Sequence, residues 1–335
     1  MNRLLLILTL ALQYASALQL TRRALPGAAA AATAIGTQNA LAAAKPVLVL
    51  GANGGTGLEC VRYLQKKGRP CVAATRTGEF VGDASKLVTV AKGDVTDAAS
   101  LESLITDQTG AVIFAASASR QADAKKTSNA KAVDNVGLVN CAKLCIEKSV
   151  PRLVVVSSGG VSKPSSAVYI FLNLAANGIM DAKIAGEDAV RRLYAAPGLA
   201  EKNIGYTVVR PGGLLRDAGL GVSAVELNQG DTKSGRINRA DVAAICIESL
   251  DSKAAFDTTF ECYYKDTAKG LDDVMKSNAA AVGAGVKTTP TEASTGRERR
   301  QKRHWSARPA ERGTKRSANQ KSNPKILRAG AASTT

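Results

Sequence analysis

The chain has 335 residues, a formal net charge of +17 and 45% apolar residues, enough for the packed core of one large or two ordinary domains and too apolar for a chain disordered throughout. Residues 1–45 hold Arg3, Arg22, Arg23 and Lys45 with no acid, residues 286–335 hold 13 Lys or Arg against three Glu, and the stretch between is nearly neutral at +3. The basic excess belongs to the two ends, so it does not mark the middle as a polyanion binder.

At the amino terminus, Met1–Arg3 is a basic start, Leu4–Leu12 is an apolar run of nine, and Ala15-Ser16-Ala17 supplies small residues suited to signal peptidase. The run falls well short of the roughly 20 residues that span a bilayer. Thr21-Arg22-Arg23, an alanine-rich acid-free stretch and Ala40-Leu41-Ala42 before Lys45-Pro46 then resemble a twin-arginine translocation signal. A signal peptide followed by a transit-type segment resembles the addresses of plastids enclosed by extra membranes. Residues 1–44 are therefore expected to be a targeting segment for a plastid (chloroplast), with simple secretion as the alternative.

From Lys45 to residue 285, short β-branched runs alternate with helical stretches. Strands are expected at Pro46–Leu50, Cys71–Thr75, Leu87–Ala91, Ala111–Ala115, Arg152–Val156, Tyr206–Val209 and Thr258–Tyr263. Helices are expected at Thr56–Lys67, Ala98–Thr106, Ala130–Lys148, Asp181–Tyr194 and Arg239–Leu250, with Asp97 and Asp241 where acids complement a helix start. This order predicts an α/β fold: a single domain built on a Rossmann-type, doubly wound parallel sheet.

Directly after the first expected strand stands Gly51-Ala52-Asn53-Gly54-Gly55-Thr56-Gly57, followed by an amphipathic helix. The first glycine permits a tight turn, the middle ones let backbone N–H groups approach a pyrophosphate, and the last lets helix and strand pack closely. The helix amino terminus would face the phosphates with its partial positive charge. At the end of the second strand, Ala74-Thr75-Arg76-Thr77 has no acid to bind a ribose 2′-hydroxyl until Glu79. Arg76 suits a 2′-phosphate instead, which favours NADP (NADPH) as cofactor.

With further landmarks the chain resembles the short-chain dehydrogenase/reductase superfamily, within it the atypical group with a compact NAD(P)H-binding domain, including plastid members. They are Gly93-Asp94-Val95, Phe114-Ala115-Ala116-Ser117, Val156-Ser157-Ser158-Gly159, Tyr206–Leu214 with its Arg210-Pro211-Gly212-Gly213, and Ile237-Asn238-Arg239-Ala240-Asp241-Val242-Ala243. The resemblance covers roughly residues 46–265. It implies that Asp94 and Val95 hold the adenine ring, that Ala115 and Ala116 line the cofactor cleft, and that Pro211 and Gly212 close over the carboxamide. Ser157 or Ser158 would stand near the nicotinamide. These positions also follow strand carboxyl ends, where open α/β sheets bind ligands.

The superfamily's reductases carry Tyr-x-x-x-Lys on one helix face, the lysine lowering the tyrosine pKa. Here Lys183 is in place, but Ile179 stands four residues before it, and Tyr169 is followed four residues later by Asn173. Lys183 and Glu187 form an i, i+4 pair, either an exposed ion pair or the atypical group's Lys-x-x-x-Glu with Lys183 on the nicotinamide ribose. The expected activity is an NADPH-dependent oxidoreductase in which Ser157 or Ser158 holds the substrate oxygen and Tyr169 or water gives the proton. The substrate would be a small apolar carbonyl, quinone or enone, in a pocket from Gly213–Thr232 and a Pro164–Asn177 loop with no charged anchor. The alternative is a non-catalytic NADPH-sensing scaffold or assembly factor that docks on a plastid protein partner.

The six cysteines lack metal-ligand spacing and His304 lies alone in the tail, so no metal site is expected and the thiols read as buried and free. Residues 286–335, with the basic cluster Arg297–Arg303 beside Trp305, have the composition of a solvated, disordered tail. Nucleic-acid binding through it is the weakest of the three functional expectations.

Overall fold

The computed structural model describes residues 45–118, 129–271 and 273; the expected targeting segment and basic tail lie outside these residues. The strands β1 (Val47–Leu50), β2 (Cys71–Thr75), β3 (Val88–Lys92), β4 (Ala111–Phe114), β5 (Arg152–Val156) and β6 (Gly205–Pro211) match their expected positions to within two residues at either end. Three-residue β7 (Gly213–Leu215), β8 (Val225–Asn228), β9 (Lys233–Ser234) and β10 (Arg236–Asn238) follow, then β11 (Thr258–Tyr264) and β12 (Lys269–Gly270). The main sheet has eight strands in the order β3-β2-β1-β4-β5-β6-β11-β8. All neighbours in it run parallel except β8, which pairs antiparallel with β11.

The order reverses at β1, which lies between β2 and β4 with Val47 opposite both Cys71 and Ala111. Alternation along β1 sends Val47 and Val49 into one core and Leu48 and Leu50 into the other, because successive side chains of a strand point to opposite faces. On the first face α1 (Gly55–Lys66) packs with Cys60, Val61 and Leu64 against the sheet. On the second lie α2 (Ala98–Leu104), α3 (Leu138–Glu147), which continues a π-helical segment Lys131–Gly137, and α5 (Ile179–Tyr194). The last helix, α6 (Arg239–Asp251), joins α1 on the first face through Val242, Ala243, Cys246 and Leu250.

The Pro164–Asn177 stretch, expected as a loop, holds a helix, α4 (Ala167–Ala175). Its sequence Ala-Val-Tyr-Ile-Phe-Leu-Asn-Leu-Ala has no polar face and therefore no helical period, but Ser166 caps it by accepting the Tyr169 N–H at 3.2 Å. Asp97 caps α2 through the Ala99 N–H as its position suggests. Asp241 stands buried in the first turn of α6, as its position suggests, and also fastens a loop by accepting the N–H groups of Leu220 and Gly221 and the hydroxyl of Tyr264.

Candidate functional site

The carboxyl ends of β1 to β6 open into one cleft of about 1340 Å³, above the roughly 300–1,000 Å³ usual for a small-molecule site. One end of it is formed by the β1–α1 loop. Gly51 holds φ +81°, and a Cβ there would lie 2.7 Å from the Ala116 Cα. A Cβ on Gly57 would lie 2.2 Å from the Gly51 carbonyl oxygen, so helix and turn meet at a distance that only glycine allows. Gly54 leads into α1 without a side-chain cap, and Gly55 and Thr56 line the cleft. The first N–H groups of the helix have no acceptor four residues back, which leaves them for an anion. A dinucleotide pyrophosphate fits this cradle.

Asn53 lines the cleft, and its side chain also clamps the β2–β3 connection by donating to the Glu79 carbonyl at 2.7 Å and accepting the Val81 N–H at 3.0 Å. Thr75 donates to the same Glu79 carbonyl and accepts the Gly78 N–H. The loop thus held presents Arg76, exposed, to the cleft. Asp94 and Val95 line the same end; the Asp94 carboxylate accepts the N–H and hydroxyl of Thr96. Ala115, Ala116, Pro211 and Gly212 also face the cleft.

At the other end the expected chemical groups lie near one another but are engaged. Lys183 does not pair with Glu187; it reaches Asp134 of the π-helical segment at 2.8 Å, and Asp134 also accepts the Ser117 hydroxyl and the Ala118 N–H. Lys183 still lines the cleft. The Ser157 hydroxyl donates to Glu187 at 2.5 Å, whereas Ser158 faces the cleft with only a 3.2 Å contact to its neighbour's carbonyl. Tyr169 is not among the residues lining the cleft; its hydroxyl donates to Asp181. Burial, then the Asp181 bond, pushes the Tyr169 pKa up to about 12, the opposite of the lowering a lysine neighbour would produce.

Glu187 begins a buried ionic chain that no local motif announces. It accepts from Arg210 at 2.6 Å and Arg191 at 2.5 Å, and Arg210 reaches Glu261 at 3.2 Å. Glu261 accepts the Asp231 N–H, and Asp231 accepts the N–H groups of Gly160 and Ser162. Asp231 is fully buried and holds φ +56°. The chain fixes the turn after β5 on which Ser157 and Ser158 stand. Burial opposes the Arg210 charge, but its bond to Glu187 and the nearby acids raise its pKa; burial raises that of Glu261. The legible signal was Glu261 in Thr-Thr-Phe-Glu-Cys-Tyr-Tyr, a charge in a strand otherwise fit for burial.

The substrate end also differs from expectation in its charge. Arg216, Arg236, Arg239 and Lys269 line the cleft, as do Val168, Phe171, Leu172 and Ile179. Among the described residues no cluster of His, Cys, Asp and Glu could hold a metal ion, and all six cysteines are buried and free.

A family model described as NAD(P)H-binding matches residues 51–253. An uncharacterised chloroplastic protein of Arabidopsis thaliana is 31% identical over 217 residues, covering 62% of this chain and 72% of its own length. The oxidoreductase ylbE from Lactococcus lactis superposes with a TM-score of 0.51 at 19% identity, over 69% of this chain and 95% of its own. A short-chain dehydrogenase/reductase from Veillonella parvula gives 0.50 at 16%, over 67% and 96%.

Proposed function

Since the chain belongs to the NAD(P)H-binding family, we propose that it is an atypical short-chain dehydrogenase/reductase, an NADPH-dependent reductase of a small carbonyl, quinone or enone with a largely apolar body. The observation that carries this is the cleft joining the glycine cradle to Lys183, Ser158 and apolar residues of α4. Arg76, with no cleft-lining acid at the end of β2, supports NADP over NAD. NADPH, when bound, supplies the hydride. Ser158 and Lys183 hold the substrate oxygen, and water at the open mouth gives the proton that Tyr169, turned to Asp181, does not. The chloroplastic name of the Arabidopsis relative, beside the double address in residues 1–44, supports a plastid site of action.

A second reading has its own observation. Lys183, Ser157 and Tyr169 are each bonded to a carboxylate of the chain itself, as a cofactor-sensing scaffold without turnover would tolerate. NADPH oxidation against quinones, aldehydes and enones separates the two. Turnover that a Ser158→Ala change reduces supports the reductase; tight NADPH binding with no oxidation across the panel supports the scaffold.

A further inference from the structure

Four cations line the cleft beyond β6, Arg216, Arg236, Arg239 and Lys269; of these, Arg239 lies against Gly55 of the β1–α1 loop and donates to the Leu214 and Leu215 carbonyls, which places it toward the pyrophosphate cradle. Arg76 follows β2, whereas Gly213 continues directly from β6, four strands across the sheet and therefore about 19 Å away at the usual strand spacing. Arg236 pairs with Gly213 in the β7–β10 ladder, and Lys269 pairs with Ser234 in the β9–β12 ladder, so two small sheets hold both positions beyond the end of β6. Arg216 follows β7 at the rim. The Arg216, Arg236 and Lys269 side chains are exposed, line the cleft and form no ion pair among the described residues. Neighbouring Lys233, by contrast, is held by Glu226 at 3.0 Å. Asp94, at the far adenine end, is the one acid among the described lining residues.

The same cleft is lined by Val168, Phe171 and Leu172 of α4, with Phe171 62% exposed. The nicotinamide of NADPH is uncharged, and the pyrophosphate has Arg239 beside its loop, so the positive charge of Arg236 and Lys269 is left for a second molecule. We propose that Arg236 and Lys269, with Arg216 at the rim, anchor the second molecule of the cleft, so that the substrate is an amphipathic acid. Its apolar, reducible body rests on Val168, Phe171 and Leu172, and its carboxylate or phosphate meets the two cations. This rests on the reductase reading only in placing NADPH at the other end.

The probe is anilinonaphthalene sulfonate, titrated by fluorescence into the full chain saturated with NADPH, beside its uncharged parent phenylnaphthylamine. The anionic dye is expected to bind about tenfold more tightly than the neutral one, and Arg236→Gln or Lys269→Gln to weaken it about fivefold each, more at low salt than at high. Neutral-dye and NADPH affinities should not move. Displacement by decanoate assigns a carboxylate, and displacement by decyl phosphate alone assigns a phosphate. Equal affinity for the two dyes, displacement by neither acid, or variants that weaken NADPH and spare the dye would each overturn the anchor. Failure of the reductase reading would appear separately, as absent NADPH oxidation with anionic-dye binding intact.

Discussion

At one end of the cleft the β1–α1 loop offers backbone: Gly51 and Gly57 approach carbonyl and Cα atoms so closely that no side chain fits, and α1 starts without a side-chain cap. At the other end the candidate groups are side chains, and most already have partners within the chain, Lys183 with Asp134, Ser157 with Glu187 and Tyr169 with Asp181. Backbone geometry is a property of a few consecutive residues. Side-chain pairing is decided by residues as far apart as Asp134 and Lys183.

The contrast is broken most forcefully at Glu187. Glu187→Ala leaves Arg210 buried and undercompensated and is expected to cost about 3–5 kcal/mol in urea unfolding; a loss below about 1 kcal/mol would mean the ionic chain does not hold the β5 turn. Gly57→Ala forces the Gly51 carbonyl aside, with an expected loss of about 1–3 kcal/mol in stability and roughly a hundredfold in NADPH affinity by fluorescence titration. Unchanged affinity would show that the loop is not the phosphate cradle. Arg76→Ala should weaken NADPH about tenfold, near 1.4 kcal/mol, and leave NADH alone. Equal losses for both cofactors would remove its 2′-phosphate role.

The smallest effect is expected at Tyr169. With a pKa raised to about 12, the phenol stays neutral through ordinary assay pH, so turnover should show no inflection near its usual value of about 10. Tyr169→Phe should change turnover less than about twofold. A fall of about a hundredfold or more would restore it as proton donor.

The strands and the phosphate loop were legible because their causes are local: β-branched runs bounded by turns, and glycines at fixed offsets after a strand. The helix α4 was not, since nine consecutive mostly apolar residues carry no period, and its start rests on the single cap at Ser166. The Lys183–Glu187 pair failed for a different reason. Helical spacing brings the two close, but Glu187 is drawn into the core by Arg210 from β6, and Lys183 meets Asp134 from the neighbouring helical segment. Likewise, the short ladders that carry Arg236 and Lys269 into the cleft are two or three residues long, below what any hydropathy pattern resolves.

The six sealed cysteines make the folded protein its own recorder of motion. A hydrogen bond to Cys246, then burial, raises the Cys60 thiol pKa, and burial chiefly raises those of Cys71, Cys145 and Cys262, so the intact fold resists alkylation. Each labelled thiol therefore counts an opening of the layer that covers it. Cys60 and Cys246 time the α1–α6 side, and Cys141 and Cys145 time the side of α3 and α5. Compared with and without NADPH, these two clocks show which face of the sheet the dinucleotide holds shut.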